Sequence, residues 1–126
     1  MKTWSPDWKA SKQPRKQRKY RFQAPLNIKR KFVSSHLSKE LRVKHSTRSL
    51  GLRTGDTVKI MRGQFKGKTG KIEEVDLSKC KARIAGITLQ RKDGNRAMVW
   101  FQPSNLLIIE LKMDDKKRQA ILERRK

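Results

Sequence analysis

Four cations and three glycines fall within ten residues of this chain: Arg62, Gly63, Lys66, Gly67, Lys68, Gly70 and Lys71. That mixture suits contact with a phosphodiester backbone. Ammonium and guanidinium groups neutralise phosphate oxygens, and backbone N–H groups beside glycine can approach them closely. Phe65, inside the run, has two open roles: stacking on an unpaired base, or plugging one end of the fold that carries the loop. Upstream, Gly55-Asp56 closes a turn before Thr57-Val58-Lys59-Ile60. Asp56 reads as a carboxylate accepting local backbone N–H bonds rather than as a catalytic acid.

The run ends in Gly67-Lys68-Thr69, the ending of a nucleotide-binding phosphate loop, but the spacing is wrong. Three residues separate Gly63 from Gly67 where that motif requires four, and Gly70 interrupts the helix that should follow. Other reactive residue types do not assemble either. His36 and His45 stand nine apart with no Cys or carboxylate at ligand spacing, so hydrogen bonds to RNA or a backbone carbonyl are expected of them, not a metal. Cys80 is the single cysteine, which excludes an internal disulfide and a zinc ribbon within the chain. Flanked by Lys79 and Lys81, it reads as a small strand residue facing a core. No Ser–His–acid, Cys–His or paired-carboxylate constellation has a geometric case. The expectation is no enzyme, no cofactor, no metal and no small-molecule substrate.

Charge defines the partner. The 126 residues carry 34 Lys and Arg against 11 Asp and Glu, a formal net charge of +23. Hydrophobic residues make up 34% and charged ones 36%, a balance that opposes compaction alone and favours a polyanion. A membrane surface is also anionic, but no apolar run of spanning length, signal-peptide core or lipidation signature is present. Cytoplasmic nucleic acid is the expected partner, with no membrane insertion.

The charge divides the chain into three segments. Residues 1–50 hold 15 bases and two acids, residues 51–110 hold 12 and six, and residues 111–126 hold seven and three. All seven glycines lie from Gly51 to Gly94, which marks the compact β-structure. Within it Val58 and Ile60 alternate with polar neighbours, as do Cys80, Ala82 and Ile84. Uneven apolar spacing at residues 72–75 suggests a bulge or bend. Asp76-Leu77-Ser78-Lys79 reads as a turn, Asp93-Gly94 as the turn of a hairpin, and Pro103-Ser104-Asn105 as the turn before a last strand. Five short strands are expected to close on themselves as a small barrel, burying one face of each and removing exposed edges.

The flanks read differently. Asp114-Asp115 before a basic stretch with Ala120, Ile121 and Leu122 predicts a short C-terminal helix whose start carries Lys116 and Lys117. Arg15, Lys16, Arg18, Lys19 and Arg21, with Tyr20 and Phe22 interleaved, form the densest basic run. Lys29, Arg30 and Lys31 follow, and Arg42, Lys44 and Arg48 lead into the barrel. All are candidate RNA contacts. Residues 28–45 have apolar content for one short helix, and residues 1 to about 30 are expected to become ordered on a partner. Trp4 and Trp8 sit in a stretch poor in apolar residues, where docking on RNA and docking on a neighbouring protein are both open.

The pattern Gly55-Asp56-x-Val58-x-Ile60-x-x-Gly63-x-x-Lys66-Gly67-x-x-Gly70-x-Ile72-x-x-Val75 resembles the KOW motif of ribosomal proteins and transcription elongation factors. The surroundings narrow it: residues 35–42, Arg48-Ser49-Leu50, Gly86-Ile87-Thr88, Pro103-Ser104-Asn105-Leu106 and Asp114-Asp115-Lys116-Lys117-Arg118. Together they resemble the archaeal and eukaryotic branch of family twenty-four of the large-subunit ribosomal proteins, over nearly the whole chain. Gln102 and the Trp100-Phe101 pair depart from that family's usual residues.

The resemblance implies a mainly β fold: a five-stranded SH3-like KOW barrel at 51–110, a basic, partly helical extension at 1–50, and a basic helix at 111–126. It also implies a structural role on the large ribosomal subunit in the cytoplasm. The expected partners are large-subunit ribosomal RNA near its 5′ region and neighbouring proteins near the polypeptide exit tunnel, with an early part in assembly. Two rival readings remain at this level: a KOW module of a transcription elongation factor, and an SH3-like barrel that binds proteins.

Overall fold

The computed structural model describes residues 4–7 and 10–124, so Trp8 lies outside the described residues. Strands β1 (Ser34–Leu37), β2 (Ser49–Gly51), β3 (Thr57–Ile60), β4 (Thr69–Asp76), β5 (Lys81–Gln90), β6 (Arg96–Phe101) and β7 (Leu106–Glu110) form one mixed sheet. Their order is β2-β1-β7-β3-β4-β5-β6. β3, β5 and β7 bury alternate residues: Val58 and Ile60, Ala82 and Ile84, Leu106 and Ile108.

The five-stranded closed barrel does not form. β1 adds in parallel to β7 through His36↔Leu107 and Leu37↔Ile108, and β2 adds antiparallel outside it through Ser35↔Leu50. Two strands from the basic extension thus cover the edge of β7, and the sheet stays open between β2 and β6. The reason lies in hydrogen bonding and burial together. β1 supplies partners for backbone groups of β7 that closure would otherwise have to satisfy. Leu37 and Leu50 then join the core with Val33 and Leu52.

β4 passes between neighbours. Residues Thr69 to Lys71 pair with β3, while Ile72 to Asp76 pair with β5 across a register shift between Ile72 and Glu74. That irregularity is the bend suggested by the uneven apolar spacing. β5 runs unbroken past Gly86, at φ +77°, where its register against β6 shifts. Cys80 is not in the strand: it ends the preceding turn at φ +52°, half-buried, its thiol donating to the Leu77 carbonyl at 3.5 Å.

Among the described residues, four α-helices complete the fold: α1 (Pro14–Gln23), α2 (Leu26–Phe32), α3 (Lys39–His45) and α4 (Lys116–Glu123). The single helix expected in residues 28–45 is instead the end of α2, then β1, then α3. Ser38 caps α3 by accepting from Leu41 N–H at 3.4 Å. Asp115 caps α4 by accepting from Lys117 N–H at 2.9 Å, as its position before the basic run predicts. No residue of α1 is buried. Tyr20 tethers it, with ring centroids 5.2 Å from Trp4 and 6.2 Å from Phe32. Among the described residues, no helix is long and apolar enough to cross a membrane.

Candidate nucleic-acid interface

The β3–β4 loop is built as two tight turns. Lys66 N–H donates to the Gly63 carbonyl at 3.1 Å, Lys68 N–H to Phe65 at 3.1 Å, and Gly67 N–H to Ile60 at 2.8 Å. Gly63 and Gly67 each adopt φ +88°, a region costly for residues with a Cβ. Arg62, Lys66, Lys68 and Lys71 are exposed. The loop therefore holds Arg62, Lys66 and Lys68 outward on a short, internally bonded backbone, and Lys71 follows on β4.

Phe65 in the loop and Gly70 just beyond it serve packing. Phe65 meets Phe101 edge to face, at 5.9 Å and 83°, against the core. Lys68 Nζ stands 5.2 Å from the Phe65 ring. Gly70 is not a loop residue: it pairs with Val58, and a Cβ there would lie 2.5 Å from Ile84 Cγ2. Its missing side chain lets β4 lie close against β5.

The extension presents a second set. Arg15, Lys16, Arg18, Lys19 and Arg21 are exposed on α1, as are Arg30 and Lys31 on α2. Phe22 is 81% exposed, with Lys29 Nζ 5.8 Å from its ring, whereas Tyr20 is taken up by Trp4 and Phe32. Lys44 and Arg48 are exposed around α3, and Lys116 and Lys117 begin α4. Arg42 has a structural bond, its Nε donating to the Leu37 carbonyl at 2.7 Å. His45 is half-buried at the end of α3. His36 is half-buried on β1, and its enclosed Nδ1 has no hydrogen-bond partner among the described residues.

Sequence reasoning missed one charged residue inside the fold. Arg118 is buried and forks onto Asp56, itself fully buried. The signal was available: Arg118 and Leu122 lie four apart on α4, on the face that packs inward. Asp56 does accept one local N–H bond, from Arg53 at 3.0 Å, and a second from Lys112, 56 residues away, at 3.0 Å. Arg53 in turn pairs with Asp115 at 2.6 Å. Among the described residues, no group of three or more His, Cys, Asp or Glu could hold a metal ion.

This geometry, cationic surfaces around an open sheet, agrees with comparison to known proteins. The family model of the eukaryotic L26 and archaeal L24 ribosomal proteins matches residues 11–125. The large ribosomal subunit protein uL24 of Methanothrix thermoacetophila is 45% identical over 114 residues, covering 90% of this chain and 98% of the relative. The uL24 protein of Methanocella arvoryzae is 44% identical over 115 residues, covering 91% and 93%. The match spans the extension, the sheet and the last helix alike, and it assigns a non-enzymatic role. The chain belongs to the large-subunit ribosomal protein family that comprises eukaryotic L26 and its archaeal L24 counterparts.

Proposed function

We propose that the chain binds large-subunit ribosomal RNA near its 5′ region, beside the polypeptide exit tunnel in the cytoplasmic ribosome, and assists early assembly of the subunit. Neighbouring proteins at that rim are further partners. One observation carries the RNA reading: the cations of α1 and the β3–β4 loop, with Arg30 and Lys31 of α2, are exposed in a chain of net charge +23. The loop fixes the position of the sheet against phosphates, and the extension neutralises charge where RNA helices pack. Recognition is by backbone shape and 2′-hydroxyl rather than by base sequence. The location and the assembly role rest on family membership.

The test is a salt titration on fragments of large-subunit ribosomal RNA from the 5′ and 3′ regions. About ten phosphate contacts predict a log–log slope of roughly −7 or steeper on the 5′ fragment, and tighter binding there than on the 3′ fragment. A slope shallower than about −3 would sink the RNA reading. Equal affinity for both fragments would remove the 5′ assignment alone.

A further inference from the structure

Arg30 and Lys31 do more than add to a diffuse surface charge. They line an open groove of about 720 Å³ to which α2, β2 and α4 all contribute, with Ile121 of α4 and Arg124 just after it. Arg53 and the buried Arg118 also border it, and no carboxylate does among the described residues. Arg118 is compensated by Asp56, and Arg53 by Asp115. Arg30, Lys31 and Arg124 have no carboxylate within ion-pair distance among the described residues. Three cations converging on a concave surface raise each other's energy until an anion enters.

The lining also says what kind of anion. It contains no aromatic side chain, so a base has no aromatic ring to stack on, and the arginines of the lining are left to meet phosphates. Asn27, at the start of α2, accepts from Ile28 N–H at 3.0 Å through Oδ1, which leaves its amide NH2 as a donor. The volume lies within the ~300–1,000 Å³ of clefts that enclose organic ligands. We infer that this groove holds one RNA strand by its sugar–phosphate backbone, with phosphates on Arg30, Lys31 and Arg124 and a sugar hydroxyl on Asn27. The inference rests on the RNA-binding reading above. It adds a defined site in which residues from both ends of the chain share one ligand, with Asn27 and Arg124 as contacts the sequence had not marked.

The test uses the full chain with Arg30→Gln, Lys31→Gln and Arg124→Gln combined. A control variant removes the same charge elsewhere, by Lys79→Gln, Lys92→Gln and Arg96→Gln. Fluorescence anisotropy is read over a salt series with a labelled oligouridylate of about ten nucleotides and an abasic strand of equal length. The groove variant should lose about 2 units of log–log slope, at roughly 0.7 per phosphate on single strands, and the control clearly less. The abasic strand should bind within about threefold of the oligouridylate, because no base is stacked. Thermal melting checks that both variants fold; Arg124→Gln alone, at the exposed end of α4, carries the same test with a slope loss of about 0.7.

Equal losses in groove variant and control would overturn the site, since total charge alone would then account for binding. Loss of the abasic strand's binding would overturn backbone recognition. Groove-dependent binding of decaglutamate in preference to either strand would make the ligand an acidic protein segment instead. If the wild-type chain bound neither strand nor ribosomal RNA, the RNA-binding reading itself would fail.

Discussion

Arg118 donates to both carboxylate oxygens of Asp56, at 2.7 Å each, across 62 residues of sequence. The same guanidinium donates to the carbonyls of Lys112 at 2.9 Å and Gly51 at 3.2 Å. One side chain thus joins the entry to β3, the exit from β7 and α4. Removing one partner of such a pair leaves an uncompensated buried charge and costs about 3–5 kcal/mol. Arg118→Met should therefore lower stability in urea unfolding by that order. A loss under about 1 kcal/mol would show that α4 is held by Leu122 and its neighbours instead. Asp56→Asn combined with Arg118→Met should cost less than the two single changes added together.

Glycines in and beside the loop should separate by mechanism. Gly70→Ala puts a methyl 2.5 Å from Ile84 Cγ2 and 3.2 Å from the Ala85 carbonyl oxygen. Overpacking of that kind costs about 1–3 kcal/mol. Gly67→Ala meets open space and is penalised only for φ +88°, about 1 kcal/mol. Thermal melting should rank Gly70→Ala as the more damaging; the reverse order would place the tight contact in the loop.

Phe65 should behave as a packing residue. Phe65→Leu keeps most of the apolar volume but loses the edge-to-face pair with Phe101, worth about 0.5–1.5 kcal/mol. RNA affinity at fixed salt should change less than about twofold, since no stacked base is lost. A drop of more than about fivefold at unchanged stability would return the ring to the RNA.

Residues 14–32 should exchange amide hydrogens rapidly in the free chain and slowly with RNA bound. α1 buries no side chain, and residues 8–39 contain no acid to offset their cations. Little apolar burial and uncompensated charge place such a segment at the low-stability end of a fold. β3 and β7 supply the slow reference. Equal protection of α1 and β7 without RNA would contradict this.

What was legible in the sequence was local. Val58 and Ile60, Ala82 and Ile84, and Leu106 and Ile108 each announce a strand through their own neighbours, and Asp115 announces a helix start. Barrel closure failed because an edge is satisfied by a distant segment. Ser34-Ser35-His36-Leu37 has no β-branched residue and leads into a helix cap; it becomes a strand because β2 and β7 offer it partners on its two sides. The exposed cations of the interface follow from composition, and the accepting role of Asp56 from its turn. Arg118 was hidden in Lys116-Lys117-Arg118, where three similar residues point to different sides of one helix and one of them is buried.

β7 lies between β1 and β3 and is made last of the seven strands. A chain leaving the ribosome from its N-terminus therefore exposes residues 34–37 and 57–60 well before residues 106–110 exist to join them. Throughout that interval β1 has only the short β2 to pair with, and the basic extension meets its surroundings as an open arm. Its last structural partner is synthesised about seventy residues after it, so completion of the sheet waits for β7. The order of translation thereby lets a nascent chain encounter a polyanion before its own fold can close over the same segment.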